Sequence, residues 1–499
     1  MTLKLKNASC GPTAQAERLA PAELGTRIAG CVSEGGTLLS LFALELADGL
    51  SLCALLGDRR ESVIEVLLAP LRCDSYPAIT PLAPQAHYFE REIAEQYDIL
   101  PQGHPWLKPV RFHERWRKGA AVFGTGRPAP GVWDYFKMSG PEIHEVAVGP
   151  VHAGIIEPGH FRFQCHGEDV YHLEIQLGFQ HRGVENAMPG EAARRIFIAE
   201  TLAGDTTAGH ATAYCRIAEA LSGEEPAARA DAVRAIAMEL ERLANHTGDL
   251  GALAGDTGYL PTASFCGRLR GDFLNMTALL CGSRFGRGLL TEGGVRFELS
   301  RETGSELLSR LREAERDTAG AVNLLWQSPS VLARLEETGK LKREDAVALG
   351  LTGVAARACG LEIDARTDFS SGHYKIIAPE PATCASGDVY ARAMVRWREI
   401  SRSIRHIRQI LDTATGEIRL KPCGAFAPDS VAVSIEEGWR GELCHAAFTG
   451  PDGKLIRYKI TDPSFKNWAG LALALRGQQI SDFPLCNKSF NLSYCGTDL

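Results

Sequence analysis

The chain has no Cys-x-x-Cys pair among its fourteen cysteines. That removes the usual signatures of zinc fingers, thioredoxin-like sites and iron–sulfur clusters, which need closely spaced thiolates. It has no excess of positive charge: 54 Lys and Arg stand against 61 Asp and Glu, a formal net charge of −7. Nucleic-acid binders ordinarily carry a basic face, so that class is set aside. It has no apolar run of about eighteen residues, so no transmembrane helix is expected. Met1-Thr2-Leu3-Lys4-Leu5-Lys6 lacks the apolar segment of a secretory signal. Gly124-Thr125-Gly126-Arg127-Pro128-Ala129-Pro130-Gly131 lacks the Lys-Ser/Thr of a phosphate loop and the third glycine of a dinucleotide fingerprint. No Gly-x-Ser-x-Gly occurs, and the neighbours Cys444 and His445 do not become nucleophile and base by adjacency. What remains is a protein of a reducing compartment, with cysteines such as Cys53, Cys281 and Cys359 acting as small buried hydrophobes.

The 499 residues are enough for two or more domains. Residues 24–110 read as a small α/β unit. Arg27-Ile28-Ala29-Gly30-Cys31-Val32 and the run Gly36 to Leu44 are expected strands, and Glu90 to Tyr97 a short charged helix entering a turn at Gly103-His104-Pro105-Trp106. Residues 114–146 hold too much Gly and Pro for a regular element. From 147 the chain begins with strands and turns helical. Val233, Ile236, Leu240, Leu243, Thr247 and Leu250 recur with three–four spacing, as do Ala393, Trp397, Ile400, Ile404, Ile407 and Leu411. Each set is the stripe of a long helix packed in a bundle. Arg392, Arg396, Arg402, Arg405 and Arg408 are expected on the solvated side of the second helix, or docked on an acidic partner. The last seventy residues return to strand and loop, with Leu455 to Ile460 the clearest strand.

His152, Glu157 and His160 fall on one turn between two expected strands. A carboxylate beside imidazoles can relay protons, because a His titrates near neutral pH and burial lifts a Glu toward it. An ordinary hydrogen-bonded turn would use the same residues. Thr206 and His210 are one helical turn apart and can share a face, whereas Asp205 or Thr206 can equally cap a helix start.

Longer patterns carry a family resemblance. Glu90-Arg91-Glu92 with Gly103-His104-Pro105 resembles the signature of the 30 kDa subunit of complex I (NADH:quinone oxidoreductase). Gly149-Pro150-Val151-His152, His181-Arg182-Gly183-Val184-Glu185 and Glu239-Leu240-Glu241-Arg242-Leu243-Ala244-Asn245-His246 resemble its 49 kDa subunit. So, in order, do Gly293-Gly294-Val295, Leu351-Thr352-Gly353, Gly387-Asp388-Val389-Tyr390, Arg440-Gly441-Glu442 and Arg457-Tyr458-Lys459-Ile460 through Pro463-Ser464-Phe465. That subunit shares ancestry with nickel–iron hydrogenase large subunits. The fused order, with Ile156-Glu157-Pro158-Gly159-His160-Phe161-Arg162-Phe163, is most similar to the energy-converting, membrane-bound hydrogenase branch, including formate hydrogenlyase large subunits.

The resemblance implies an α+β fold. Residues 1–113 would form the 30 kDa-like α/β domain, 114–146 a linker, and 147–499 a mainly helical hydrogenase-like domain with a β-rich start and end. The departures matter as much as the matches. The four ligand positions of the hydrogenase pattern fall on Ala203, Thr206, Ser493 and Gly496, and Cys495 lies one residue out of register. Nickel–iron chemistry needs soft thiolates, so no such centre and no hydrogen production are expected. No extension of the kind removed after metal insertion is expected beyond Leu499. The complex I quinone tyrosine is replaced by Leu202, whereas His160 stands at the other head-group position. By the same resemblance His152, Glu157, His160, Asp205, His210 and Arg440 line the cavity, with Arg440 holding an acid, a carbonyl or a ligand, and Asp498 a candidate partner for it.

The implied function is a core subunit of a membrane-associated oxidoreductase complex, coupling electron arrival to proton transfer or quinone reduction. No cofactor is expected to reside on this chain, with quinone the one ligand left open; iron–sulfur clusters and NAD would belong to other subunits. The implied partners are an iron–sulfur small subunit, a ferredoxin-like subunit and antiporter-like membrane subunits, at the cytoplasmic face of the inner membrane. Two alternatives stay open: a structural subunit that only holds the cluster-bearing partner, and a hydrogenase with unusual ligands.

Overall fold

The computed structural model describes residues 2–499 except 125, 127, 128, 153–156, 415–417 and 419. The first sheet runs Leu3–Leu5, Val63–Pro70, Gly49–Asp58, Thr37–Leu46, with Glu17–Arg18 parallel to Val63–Pro70. Its strands are apolar on both faces because both are covered. Leu41, Ala43, Leu52, Ala54 and Leu67 face a helical layer. Phe42, Leu44, Cys53, Leu55 and Val66 face a second sheet through Val431, Val433 and Phe448. That second sheet has the order Leu455–Thr461, Glu442–Thr449, Ser430–Glu437, Ser9–Pro12, so residues near the start of the chain complete a sheet built near its end.

Arg27 to Val32 is not a strand but part of the helix Pro21–Ser33. Pro21 at the first helical position, Glu23 reaching back to the Ala20 N–H at 2.9 Å, and Leu24 and Ile28 buried one turn apart decide it. The run at 36–44 is a strand, Thr37–Leu46, as expected. The two apolar stripes are long helices, Ala228–Asp256 and Val389–Thr413, packed on each other. The last seventy residues are not only strand and loop: Pro463–Ala474 and Phe483–Phe490 are helices. A third, antiparallel sheet of Ile143–Val148, His160–His166 and Asp169–Gln176 precedes the bundle.

Arg392 and Arg396 are not solvated. Arg392 donates to Ser489 Oγ and to the carbonyls of Gly387 and Gly339, and Arg396 to Asp249 at 2.6 Å. Both lie on the side of the helix that meets its neighbours, where a guanidinium is tolerated only because its donors are used. In the same bundle Glu399 takes hydrogen bonds from His246 at 2.8 Å and Arg242 at 3.1 Å, and pairs with Arg357 at 2.7 Å. Glu239 likewise accepts from Ser403 Oγ at 2.6 Å, so Glu239, Arg242 and His246 all turn their polar groups inward, against the second helix.

The helix His87–Tyr97 is charged and yet buried along its length from Phe89. Glu90 accepts the N–H groups of Ile79 and Thr80, both at 2.8 Å, and Arg91 donates to the carbonyls of Lys108 and Pro109. Glu92 pairs with Arg111 and accepts from Lys459 Nζ at 2.6 Å. Lys459 also reaches Glu185 at 2.8 Å, which binds Arg457 at 2.9 Å. One buried ionic cluster therefore joins Glu92, Glu185 and the strand Leu455–Thr461. Lys459→Met would leave two carboxylates buried without their shared cation. We expect a loss of about 3–5 kcal/mol in denaturant unfolding; a change below about 1 kcal/mol would show the cluster to be dispensable.

Candidate functional site

The segment Leu202 to Thr206 and the C-terminal segment Asn491 to Gly496, far apart in sequence, meet around Arg440. Arg440 sits in the turn between the strands Ser430–Glu437 and Glu442–Thr449. Its backbone is set by Gly353, whose φ of +62° and lack of a side chain let Thr352-Gly353 pass over it; a Cβ there would lie 2.0 Å from the Arg440 carbonyl oxygen. The Arg440 guanidinium holds Asp205 in a two-pronged pair, Nη1 to Oδ1 at 2.6 Å and Nη2 to Oδ2 at 2.7 Å. Nη1 also reaches Thr206 Oγ1 at 3.3 Å, and Nε donates to the Asn491 carbonyl. The guanidinium lies 3.9 Å from the centre of the Trp439 ring. Trp439 Nε1 and Asn245 Nδ2 both donate to the Asp205 carbonyl at 2.9 Å, so Asp205 is fixed from both ends.

Beside this pair opens a cavity of about 370 Å³, lined by Glu157, Asp205, Asn245, Asp249, Arg440 and Asn491 among others. Glu157 accepts the N–H of Tyr494 at 3.0 Å; burial pushes its carboxyl up, and that hydrogen bond and Arg440 draw it back. Cys495 has its thiol raised by burial and by Glu157. A smaller space of about 20 Å³ lies between Asp205, Glu241, Arg270 and Arg284, enough for about one water.

The expected site residues divide in two. Glu157, Asp205, Thr206 and Arg440 are brought together, with Ser493 and Gly496 next to them: Ser493 Oγ accepts the Gly496 N–H at 2.9 Å. Ala203 and Leu202 are fully buried. His210 is one turn further in, buried and facing Asp462 and His445. His160 is held elsewhere: its Nδ1 pairs with the Gly149 carbonyl at 3.1 Å and its Nε2 accepts from Arg162 at 3.2 Å, beneath Tyr135. His152 is exposed, and residues 153–156 of its turn lie outside the described residues. Asp498 does not pair with Arg440; its carboxylate accepts the N–H groups of Gly178 and Gln180 at 2.9 and 3.0 Å, and burial pushes it up to about 6.

Thr206 stands at the N-cap of the helix Thr207–Ser222 but makes no side-chain cap. Glu241, from the neighbouring helix, takes the free N–H groups of Ala208 at 2.7 Å and Gly209 at 3.3 Å. Asp205, the other expected cap, is already spent on Arg440. Glu241 is visible in sequence inside the Glu239 to His246 motif, but only the helix packing shows it reaching the neighbouring helix start. Sequence reasoning does not reach Asp462, His445 and Tyr458 as site residues. Asp462 stands directly before the Pro463-Ser464-Phe465 match, and that is the one signal that could have found it.

Two family models match parts of the chain outside this site. The model for the respiratory-chain NADH dehydrogenase 30 kDa subunit matches residues 44–122, and that for the 49 kDa subunit matches 256–425. Carbon monoxide-induced hydrogenase of Rhodospirillum rubrum is 30% identical over 351 residues, 70% of this chain and 97% of that protein. The chain belongs to the complex I and hydrogenase large-subunit family. Within this family, formate hydrogenlyase subunit 5 of Escherichia coli (strain K12) is 29% identical over 437 residues, 85% of this chain and 77% of its own. The C/D subunit of NADH-quinone oxidoreductase of Bacteroides thetaiotaomicron is 27% identical over 423 residues, 77% of each chain. Among the described residues of this hydrogenase-like subunit, no helix is long and apolar enough to cross a membrane.

Glu241 gives a pH test of the site. Burial lifts its carboxyl to about 8, against the pull of the two N–H donors. A folded-state value above the unfolded one means that the folded protein binds the proton more tightly, so this proton's contribution to stability is lost as pH rises toward and through about 8. Glu241→Gln keeps an acceptor for the helix start and carries no charge. Its melting temperature relative to wild type should therefore rise from pH 6 to pH 9; a pH-independent difference would contradict the assignment.

Proposed function

We propose that this subunit is the core of a membrane-associated, energy-converting oxidoreductase complex and forms no nickel–iron centre. In this reading its cavity exchanges protons while electrons arrive on an iron–sulfur partner subunit. The observation that carries it is the Arg440–Asp205 pair at the meeting point of the two ligand segments. A guanidinium there places a fixed cation where the resembling enzymes would hold a metal cation. The donor set does not fit the metal either. Ala203 and Gly496 offer no side-chain donor, Thr206 faces Arg440, and the Ser493 hydroxyl accepts a backbone N–H. The remaining thiol, Cys495, is raised toward its protonated form, and soft thiolate ligation requires the opposite.

Proton exchange rests on Glu157, with the Arg440–Asp205 pair setting the charge beside it on the cavity lining. His160, His152 and His210 are the imidazoles of the same proposal, with His160 acting from the start of the middle strand of its sheet rather than from the cavity wall. Quinone is the acceptor class this reading takes from the resemblance; Glu157, Asn245 and Arg440 on the cavity lining are polar groups of the kind that hold a head group. The cluster-bearing small subunit, a ferredoxin-like subunit and antiporter-like membrane subunits are the proposed partners. A purely structural role would call for a cavity packed with apolar side chains, which this one is not. Glu157→Gln should lower turnover of the intact complex at least about tenfold, the usual loss for a removed proton carrier, with all subunits still assembled. Unchanged turnover in an assembled complex would refute the reading.

A further inference from the structure

Behind the cavity wall lies an unbroken line of buried polar groups. Asp462 Oδ2 is 3.2 Å from His210 Nε2, His210 Nδ1 is 3.0 Å from His445 Nε2, and His445 Nδ1 is 2.9 Å from the Tyr458 hydroxyl. All four residues are at most 1% exposed. They come from three directions: the helix Thr207–Ser222, the strand Glu442–Thr449, and the strand Leu455–Thr461 with the residue after it. Asp462 also accepts the Ser464 N–H at 2.7 Å, and its charge is felt by Arg440.

The carboxylate end and neutral rings together set the hydrogens in between. A carboxylate only accepts, so His210 donates from Nε2, and as a neutral ring it accepts at Nδ1. His445 then donates from Nε2 and accepts at Nδ1, where the Tyr458 O–H supplies the proton. Every site on the line is satisfied, with one polarity and both rings neutral. Reversing that polarity needs one extra proton and moves no heavy atom.

We propose that Asp462, His210, His445 and Tyr458 form a reversible one-proton shuttle between the cavity side of the domain and its outer strand. A proton arriving at the Tyr458 oxygen releases the tyrosine's own proton to His445 Nδ1. The Nε2 proton of His445 passes to His210 Nδ1, and the Nε2 proton of His210 to Asp462 Oδ2. One proton enters and one appears at Asp462; three N–H or O–H bonds break, four form, and both rings end with the hydrogen on Nδ1. The source is a solvent proton. The outward neighbour is Tyr214, its ring 6.3 Å from that of Tyr458 and its hydroxyl bonded to the half-buried Glu292. Rings packed this tightly do not turn over, so the line returns its proton by the same path and works as a shuttle, not a one-way wire.

The surrounding charges set the direction. Burial would raise the Asp462 carboxyl, but His210 and Arg440 hold it below its usual range. Burial keeps His445 far below the usual imidazole value, with Glu185 acting the other way. Tyr458 is raised by burial and by Cys215 and Cys444, against Arg195. In the proposed resting state Asp462 is charged and both rings are neutral, and neither imidazole becomes a cation on the way.

The shuttle serves the cavity reading, and its test stands apart from it. In protein labelled with ¹⁵N at histidine, His210 and His445 should both show the Nε2–H form near neutral pH. On acidification both should pass to the Nδ1–H form together, with one midpoint. Either ring changing alone, or either becoming an imidazolium, overturns the proposal. Tyr458→Phe removes the inlet with little change of shape, and both rings should then keep the Nε2–H form over the same range; conversion in that variant would overturn the shuttle. Loss of turnover in Glu157→Gln bears on the cavity, so either idea can fail without the other.

Discussion

Lys459 lies between Glu92 and Glu185 with almost no access to water. A lone ammonium in that place would be costly, and so would either carboxylate without it. Arg111 and Arg457 complete the set on the two outer sides. The result ties the buried face of the His87–Tyr97 helix to the strand Leu455–Thr461 and to the short helix Val184–Ala187 that carries Glu185. The Tyr458 to Asp462 stretch, which continues that strand, is held in register by the same contacts: Ile460 N donates to Glu185 at 3.1 Å. The position of Asp462 against His210, and of the cavity wall beyond it, depends on this cluster.

A second set of buried charges does the same for the other wall. Arg366 pairs with Glu239 and Asp364, Arg357 with Glu399 and Glu437, and Arg396 with Asp249. Asn491 Nδ2 then donates to Asp249, while its carbonyl accepts from Arg440. Arg440 is therefore not an isolated cation. It ends a chain of charge pairs that begins in the helical bundle, which is why a guanidinium can stand so deep and still be directed at Asp205.

The periodic parts of this architecture are legible in the sequence. The stripes through Leu240 and Ile404 are the long helices, because three–four spacing has one structural solution when a single face is apolar. Arg27 to Val32 is not legible, since a short apolar run fits strand or helix and its start signal, Pro21 with Glu23, lies upstream. Arg392 and Arg396 mislead for a related reason: charge usually marks solvent, and nothing local announces the carbonyls and Asp249 that receive them. Among site residues, Asp205 and Arg440 are reached through the family resemblance. Asp462, His445 and Tyr458 need the strand pairing of Glu442–Thr449 with Leu455–Thr461, which places His445 opposite Ile460 and its ring against a helix more than two hundred residues earlier in the chain.

Charge pairing at Arg440 and Asp205 stands, in the proposed function, where metal ligation would otherwise be. Counting nickel per chain in the complex purified through this subunit tests that replacement with the fewest intervening steps, provided iron and sulfide are counted on the subunits that come with it. No nickel is expected, with iron and sulfide carried by the partners. Nickel near one atom per chain would contradict the replacement and would require a ligand set that Ala203, Thr206, Ser493 and Gly496 do not provide.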